Sequence, residues 1–404
     1  MRCAFAILLC FTFAGAAPSH AAEPAFQQWL QSTWPDAQKL SVSRSVFDAA
    51  VRGLVPDYSL PDLALPGKPE KPPPGQPEFV QTPAQYLREA TFERLAARGR
   101  QFATQYRSAL ARIEREFGVP GDVVLAIWAR ETDYGRQKDS LDAIRVLATQ
   151  GFVGKRKEFF RNEFLHALKM LQDSVPRADL RSSWGGAMGL TQFLPTEYYK
   201  YAVDFDGDGR ADIFHSVPDA LASAAKQLKE KGWQKGERWA YEVHAPANAD
   251  CSLGVPEHRV PIGAWLKAGF RPAYGRSLSE AELALPASLL QPEGSYGPAF
   301  LTPKNYYVLK EYNYSDLYVL FVGQLSDRIA GGRPFETPWS KNAQLRTAQV
   351  ESMQLRLTTL GLYRDKIDGK AGMLTRAALG AYQKANGLKV DCWPTAVVLD
   401  HMRR

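Results

Sequence analysis

The sequence predicts a mainly α-helical body with a few short strands, followed by a compact C-terminal unit. Three observations predict it. Apolar residues recur at helical spacing in several separate stretches between Phe102 and Ile329. The turn-rich region from Trp239 to Pro286 leaves room only for short strands. Pro334 to Pro338 reads as a linker, and Val350 to His401 beyond it has an apolar pattern of its own. A chain of 404 residues allows more than one domain.

In chain order, Arg2 is followed by a short apolar run from Ala4 to Ala17 and by small residues up to Ala22. This is the pattern of a secretory signal peptide, with cleavage expected near Ala21. The run is too short to span a membrane comfortably, and no later segment is long and apolar enough. The mature chain is therefore expected to be exported and soluble. Its formal charge falls from +7 to +6 with the loss of Arg2, which suits an acidic polymer or an anionic envelope surface. Cleavage also removes Cys3 and Cys10. Cys251 and Cys392 remain, and in an oxidising compartment they could pair and tie the C-terminal segment to the body. The simpler reading is two buried thiols.

Phe26, Trp29, Leu30 and Phe47 to Val51 mark short helices at the mature start. Residues 56–83 are proline-rich and should form an extended connector, with Tyr58, Leu63 and Phe79 laid against a surface. Phe102, Tyr106, Leu110, Ile113 and Phe117 predict one long helix, ended by Gly118-Val119-Pro120. The next helix carries Val124, Ile127, Trp128 and Glu131 on one face, with Asp122 as a cap and Gly135 as a stop. Phe160, Phe164, Leu168 and Leu171 mark a further helix. Ser183 to Pro195 is glycine-rich, a helix runs through Ala220 to Leu228, and Tyr306 to Ile329 is aromatic and helical towards its end.

Several chemistries are excluded. The six histidines never pair at metal-ligand spacing, and there is neither a G-x-S-x-G elbow nor a phosphate loop. Carboxylate chemistry remains. Glu131 ends an apolar stripe, where desolvation would keep it protonated and ready to donate. It could equally be a helix-end glutamate paired with Arg130 or Arg136. In the second stretch, glycines would let backbone approach a ligand while Ser183 and Gln192 supply hydrogen bonds; a tight packing turn is the alternative. Asp204-Phe205-Asp206-Gly207-Asp208-Gly209-Arg210 opens like a calcium loop, with Arg210 offering its carbonyl. The twelfth position is His215 instead of glutamate, so Asp219 or Asp212 must close the site. A solvated acidic turn is the alternative. Tyr312, Asn313 and Tyr318 belong to a tyrosine-rich stretch suited to sugar rings or to a core helix.

Together these motifs resemble the lytic murein transglycosylases of the membrane-bound B type, exported enzymes that cleave peptidoglycan. The resemblance rests on Glu131-Thr132-Asp133-Tyr134-Gly135, Gly186-Ala187-Met188-Gly189 through Gln192-Phe193-Leu194-Pro195, Tyr201-Ala202-Val203-Asp204-Phe205, and Tyr312-Asn313-Tyr314-Ser315. Gln354-Leu355-Arg356-Leu357, Ile367-Asp368-Gly369 and Tyr382-Gln383-Lys384-Ala385-Asn386-Gly387-Leu388 resemble a small helical peptidoglycan-binding domain, with Asp391-Cys392 where a second Asp-Gly is usual. The resemblance implies an α+β lysozyme-like catalytic domain with minor strands over residues 22–332, a linker at 333–345 and a three-helix peptidoglycan-binding domain over 346–404. Residues 1–21 are expected to be the signal peptide of a periplasmic protein without the lipid anchor of the family's namesake. Glu131 is implied as the single catalytic acid and base. Ser183, Gln192, Tyr312, Asn313 and Tyr318 are implied as substrate contacts. Asp204, Asp206, Asp208, Arg210 and Asp219 are implied to form a loop for a structural calcium or sodium ion, with no cofactor for catalysis. On the helix after that loop, Gln227 falls where the family has an aromatic contact.

The implied activity is that of a lyase. It cleaves the MurNAc–GlcNAc β-1,4 bond of glycan strands and leaves 1,6-anhydroMurNAc ends. A muramidase acting on the same bond with water and a non-catalytic wall-binding protein are the alternatives. Glycan strands are the expected partner, together with cell-wall synthesis or division proteins, and nucleic acid is not. The C-terminal domain is expected to raise effective concentration on the polymer without altering the chemistry.

Overall fold

The computed structural model describes residues 22–65, 67, 81–340 and 345–404. The expected signal sequence, half of the proline-rich connector with Phe79, and residues 341–344 of the expected linker lie outside the described residues. The chain divides into two units: Met1–Lys71 with Ser140–Ala187, and Pro72–Asp139 with Met188–Arg404.

The first unit is helical, built on Ala22–Ser32, Trp34–Lys39, Arg44–Val51, Ala143–Val153 and Lys157–Gln172. Phe160, Phe164 and Leu168 are fully buried, as their spacing predicts. The start of the connector lies against this unit, because Leu60 and Leu63 pack on Val146 with Tyr58 and Leu65 beside them.

In the second unit the predicted long helix is two helices, Glu89–Gln105 and Arg107–Phe117. The break is at Tyr106, whose backbone (φ −102°, ψ 21°) leaves helical geometry. Periodicity could not reveal it, because Phe102 and Leu110 stay on the core side across the break. Gly118, at φ 75°, stops the second helix. The central helix follows, Gly121–Thr132, with every residue from Val123 to Ala129 buried. It is packed by Glu89–Gln105, Val217–Glu230 and Asp316–Ile329. Asp122 does not cap it. Pro120 holds the cap position, and the Asp122 carboxylate accepts from Ser326 Oγ at 3.1 Å. The helix ends at Thr132, and Asp133, not Gly135, takes the left-handed capping geometry (φ 49°, ψ 48°).

The turn-rich region supplies three short strands, and residues 286–302 two more, of a five-stranded antiparallel sheet in the order Val260–Pro261, Pro286–Leu290, Ala299–Thr302, Tyr241–His244, Arg271–Pro272. Leu289 and Tyr241 both pair with Leu301, so one face is apolar and packs on Ile262 and Trp265. The segment read as linker is strapped to this sheet. Glu242 accepts from the backbone N–H groups of Glu336 and Thr337 at 2.9 and 2.8 Å, and the Phe335 and Trp339 rings pack on Phe300.

The C-terminal domain consists of three helices, Thr347–Thr359, Met373–Ala385 and Ala396–Arg403, around Met353, Leu357, Leu379, Tyr382 and Leu399. Two buried glutamines organise its loops in the same way. Gln354 Oε1 accepts from the N–H groups of Asp368 and Gly369, and Gln383 Oε1 from those of Asp391 and Cys392. Gly369 has φ 70°; its counterpart Cys392 has φ 54°, a region L-residues enter at a cost of about 1–2 kcal/mol. The cysteine at this glycine-like position is disulfide-bonded to Cys251. The reading of two free buried thiols is therefore overturned. The disulfide spans 141 residues and fixes the C-terminal domain to the short Cys251–Leu253 helix.

Candidate active site

Glu131 lies in the last turn of the central helix, half-buried. The Tyr318 hydroxyl donates to its Oε1 at 2.5 Å, across 187 residues of sequence. Tyr318 is 1% exposed, and its hydroxyl pKa is pushed well above the phenol range, first by burial and then by the Glu131 charge. It is therefore a donor at every ordinary pH. Tyr312 stacks on Tyr318, with centroids 6.3 Å apart and planes 9° from parallel. Its hydroxyl donates to Thr191 O at 2.7 Å and is likewise held protonated by burial, then by Glu131 and Glu197. The next residue's side chain, Asn313 Oδ1, accepts from Ser315 N at 3.1 Å. Arg130 Nε donates to Tyr86 OH at 2.6 Å, and its guanidinium lies over the Tyr86 ring and 5.9 Å from the Tyr318 ring centroid.

The glycine-rich stretch is tied to the same helix end. Thr132 Oγ1 donates to Leu190 O at 2.9 Å and accepts from Gly135 N at 3.1 Å. Gly189 has φ 76°, and a Cβ there would lie 2.8 Å from Ile213 O. Gly186 (φ 84°) similarly faces Leu147 within the first unit. These two glycines therefore serve packing, the bland alternative. Gln192 has φ 56° and donates to Asp139 Oδ2 at 2.7 Å. Ser183 belongs to the first unit, where its N–H closes a turn onto Ala187 O at 2.9 Å.

In the aspartate loop, oxygens of Asp204, Asp206 and Asp219 lie within 4.8 Å of one another. Asp219 is fully buried in the first turn of Val217–Glu230. It accepts from the N–H groups of Phe205, Asp206 and Asp212 at 2.9, 3.1 and 2.9 Å. Asp212, the competing closer, is turned onto its own backbone, accepting from Phe214 N and His215 N. Asp208 accepts from Arg210 N at 2.9 Å and stands outside the carboxylate cluster. Three mutually close carboxylates fit a hard cation in donor type and charge.

Sequence reasoning missed Asp139, Glu197 and Tyr86. Asp139 orients Gln192, and burial raises its pKa against that hydrogen bond. Glu197 Oε2 accepts from Leu194 N at 3.1 Å, and Oε1 from Gln227 Nε2 at 3.0 Å. Burial raises its pKa as well. Its place at the third position of a helix begun by Pro195 reads as a capping box, which hid its second role beside Tyr312. Gln227 is 1% exposed, so it sits behind Glu197 instead of presenting a surface. A cavity of about 730 Å³ lies elsewhere, lined by His244, Asp250, Gln291, Lys384 and Lys389.

The profile of the transglycosylase SLT domain family matches residues 25–327, three quarters of the chain. The chain belongs to that family. A peptidoglycan binding domain profile matches residues 346–402 of this SLT-family chain. The chain is 32% identical over 247 residues to membrane-bound lytic murein transglycosylase B of Escherichia coli K12, an alignment covering 57% of this chain and 63% of that relative. In structure it is similar to SltB3 from Pseudomonas aeruginosa, solved in complex with NAG-anhNAM-pentapeptide. That match has a TM-score of 0.84 and 36% identity, and covers 94% of this chain and 99% of the other. It is also similar to Escherichia coli lytic transglycosylase SLT35, solved in complex with calcium, with a TM-score of 0.51, 29% identity and coverage of 62% and 80%. The mainly helical, lysozyme-like fold with a helical C-terminal domain agrees with the sequence prediction. Among the described residues no helix is long and apolar enough to cross a membrane.

Proposed function

We propose that this protein is a peptidoglycan lytic transglycosylase in which Glu131 acts first as acid and then as base. The observation that carries the reading is the Tyr318 hydroxyl fixed on Glu131 Oε1 in a chain of this family. Glu131 carries the proton to be donated before cleavage. Glu131 gives it to the oxygen linking MurNAc to GlcNAc, and the C1–O bond breaks. The substrate's N-acetyl group stabilises the cationic centre. The carboxylate then takes the proton of the MurNAc 6-hydroxyl as that oxygen bonds to C1. The product is a 1,6-anhydro end, and no water is consumed. Tyr318 strengthens its bond as charge appears on Glu131, which lowers the barrier.

The stacked Tyr312, with Asn313 and Gln192, holds the sugars. Hydrolytic glycosidases usually pair two carboxylates across the scissile bond. Glu197, the other buried acid bearing on Tyr312, already has both oxygens engaged by Leu194 and Gln227. Asp204, Asp206 and Asp219 would hold a structural calcium or sodium ion, with Asp208 and Arg210 completing the loop. The cation would brace the turn before Val217–Glu230 and take no part in the chemistry. Residues 22–332 form the catalytic domain, 333–345 the linker and 346–404 the wall-binding domain. The leader 1–21 directs the chain to the periplasm. Turbidity loss of purified sacculi tests the assignment: the wild type clears them and Glu131→Gln does not. Equal clearing by both would refute it.

A further inference from the structure

The C-terminal domain is more than tethered. Met373 is buried in the same apolar cluster as the central helix. Tyr296 OH donates to Asp391 Oδ2 at 2.6 Å, and Ser295 N to Asp391 O at 2.9 Å. One contact runs directly towards Glu131. Arg376, on the Met373–Ala385 helix, donates from Nη2 to Asp316 Oδ2 at 3.0 Å, and its Nη1 is steadied by Ala371 O at 2.6 Å. The two side chains are 8% and 11% exposed. Asp316 Oδ1 also accepts from Lys310 Nζ at 2.5 Å and Tyr306 OH at 2.7 Å. Burial opposes the Asp316 charge, yet Lys310 and Arg376 outweigh burial and hold its pKa below the carboxylate range.

Asp316 is the first residue of Asp316–Ile329, and Tyr318 lies in that first turn with its hydroxyl on Glu131. Lys310, Tyr306 and Arg376 thus clamp one carboxylate at the point where the Tyr312 loop becomes the Tyr318 helix. We propose that Arg376 is a positioning residue. Its ion pair with Asp316 sets the turn that aims the Tyr318 hydroxyl at Glu131, so the wall-binding domain takes part in the chemistry as well as in binding. The inference rests on the acid–base reading of Glu131.

The test measures kcat and KM on a short soluble glycan strand, with melting temperature and sacculus binding measured alongside. The Cys251–Cys392 bond keeps the domain attached in Arg376→Ala. That variant should lose up to about 10-fold in kcat, no more than Tyr318→Phe itself loses, with KM within about twofold, and Arg376→Lys should recover most of the loss. A double-mutant cycle separates positioning from plain stability. The Arg376→Ala effect should vanish in a Tyr318→Phe background, because there is no hydroxyl left to aim. An unchanged kcat, a loss confined to KM or sacculus binding, or additive losses in the cycle would overturn the proposal. Should Arg376→Ala fail to melt cooperatively, Asp316→Asn carries the same cycle with the same outcomes. Glu131→Gln is the control for the underlying reading: if it stays active that reading fails, whatever Arg376 does.

Discussion

Tyr318→Phe removes a single oxygen from a buried ring and keeps the ring's stack on Tyr312. The lost bond is the 2.5 Å donation to Glu131 Oε1. A hydrogen bond to a charged group is worth about 1.5–3 kcal/mol, roughly twice one to a neutral partner. Only the difference counts for the rate, because Glu131 is protonated before cleavage and ionised as the glycosidic bond breaks. That difference is about 0.75–1.5 kcal/mol, or roughly 3- to 12-fold in kcat at 1.4 kcal/mol per decade. The raised Tyr318 pKa means the donor is present across the assay range, so the loss should not depend on Tyr318 ionisation. The assay is the steady-state rate on a soluble glycan strand, with a thermal melt to confirm the fold. A kcat within twofold of wild type, or a loss expressed only in KM, would refute the argument that Tyr318 stabilises the developing carboxylate.

Other outcomes follow from the same contacts. Cys251→Ser with Cys392→Ser should lower stability by up to about 5 kcal/mol, since the bond closes a 141-residue loop; reductant should lower the wild-type melting temperature and leave the double variant unchanged. Glu197 has a raised pKa from burial, so its ionisation weakens the fold as pH rises from the ordinary carboxylate range through its folded value. Glu197→Gln should therefore melt higher at pH 7 by about 2 °C, and the gain should disappear at pH 3; a gain that persists at pH 3 would contradict the titration account. Chelator should lower the melting temperature and calcium restore it, with Asp219→Asn abolishing the response; no response in the wild type would return the loop to a solvated turn.

Much of the fold was legible because it is local. The apolar stripe ending at Glu131 marked the central helix, and regular spacing marked Phe160, Phe164 and Leu168 as core. The break at Tyr106 was invisible because both halves keep their apolar face towards one core. The candidate site was legible only in part, because its contacts are long-range. No local pattern links Glu131 to Tyr318, Gln192 to Asp139 or Cys251 to Cys392, pairs separated by 187, 53 and 141 residues. The glycines of Ser183 to Pro195 carried a true conformational signal with the wrong cause attached. Gly189 is excluded from having a side chain by Ile213 O, not by a ligand. Cys392, which stands where a glycine is usual, takes left-handed geometry and is bonded to Cys251, a pairing that sequence left open beside two free thiols.

The central claim is that one carboxylate, Glu131, both donates and recovers the proton, so that the sugar's own hydroxyl displaces the leaving group. Mass spectrometry of the ends released from purified sacculi tests it most directly. Wild type should release MurNAc ends one water lighter than reducing ends, and Glu131→Gln should release neither. A preponderance of reducing ends from the wild type, or anhydro ends from Glu131→Gln at the wild-type rate, would contradict it.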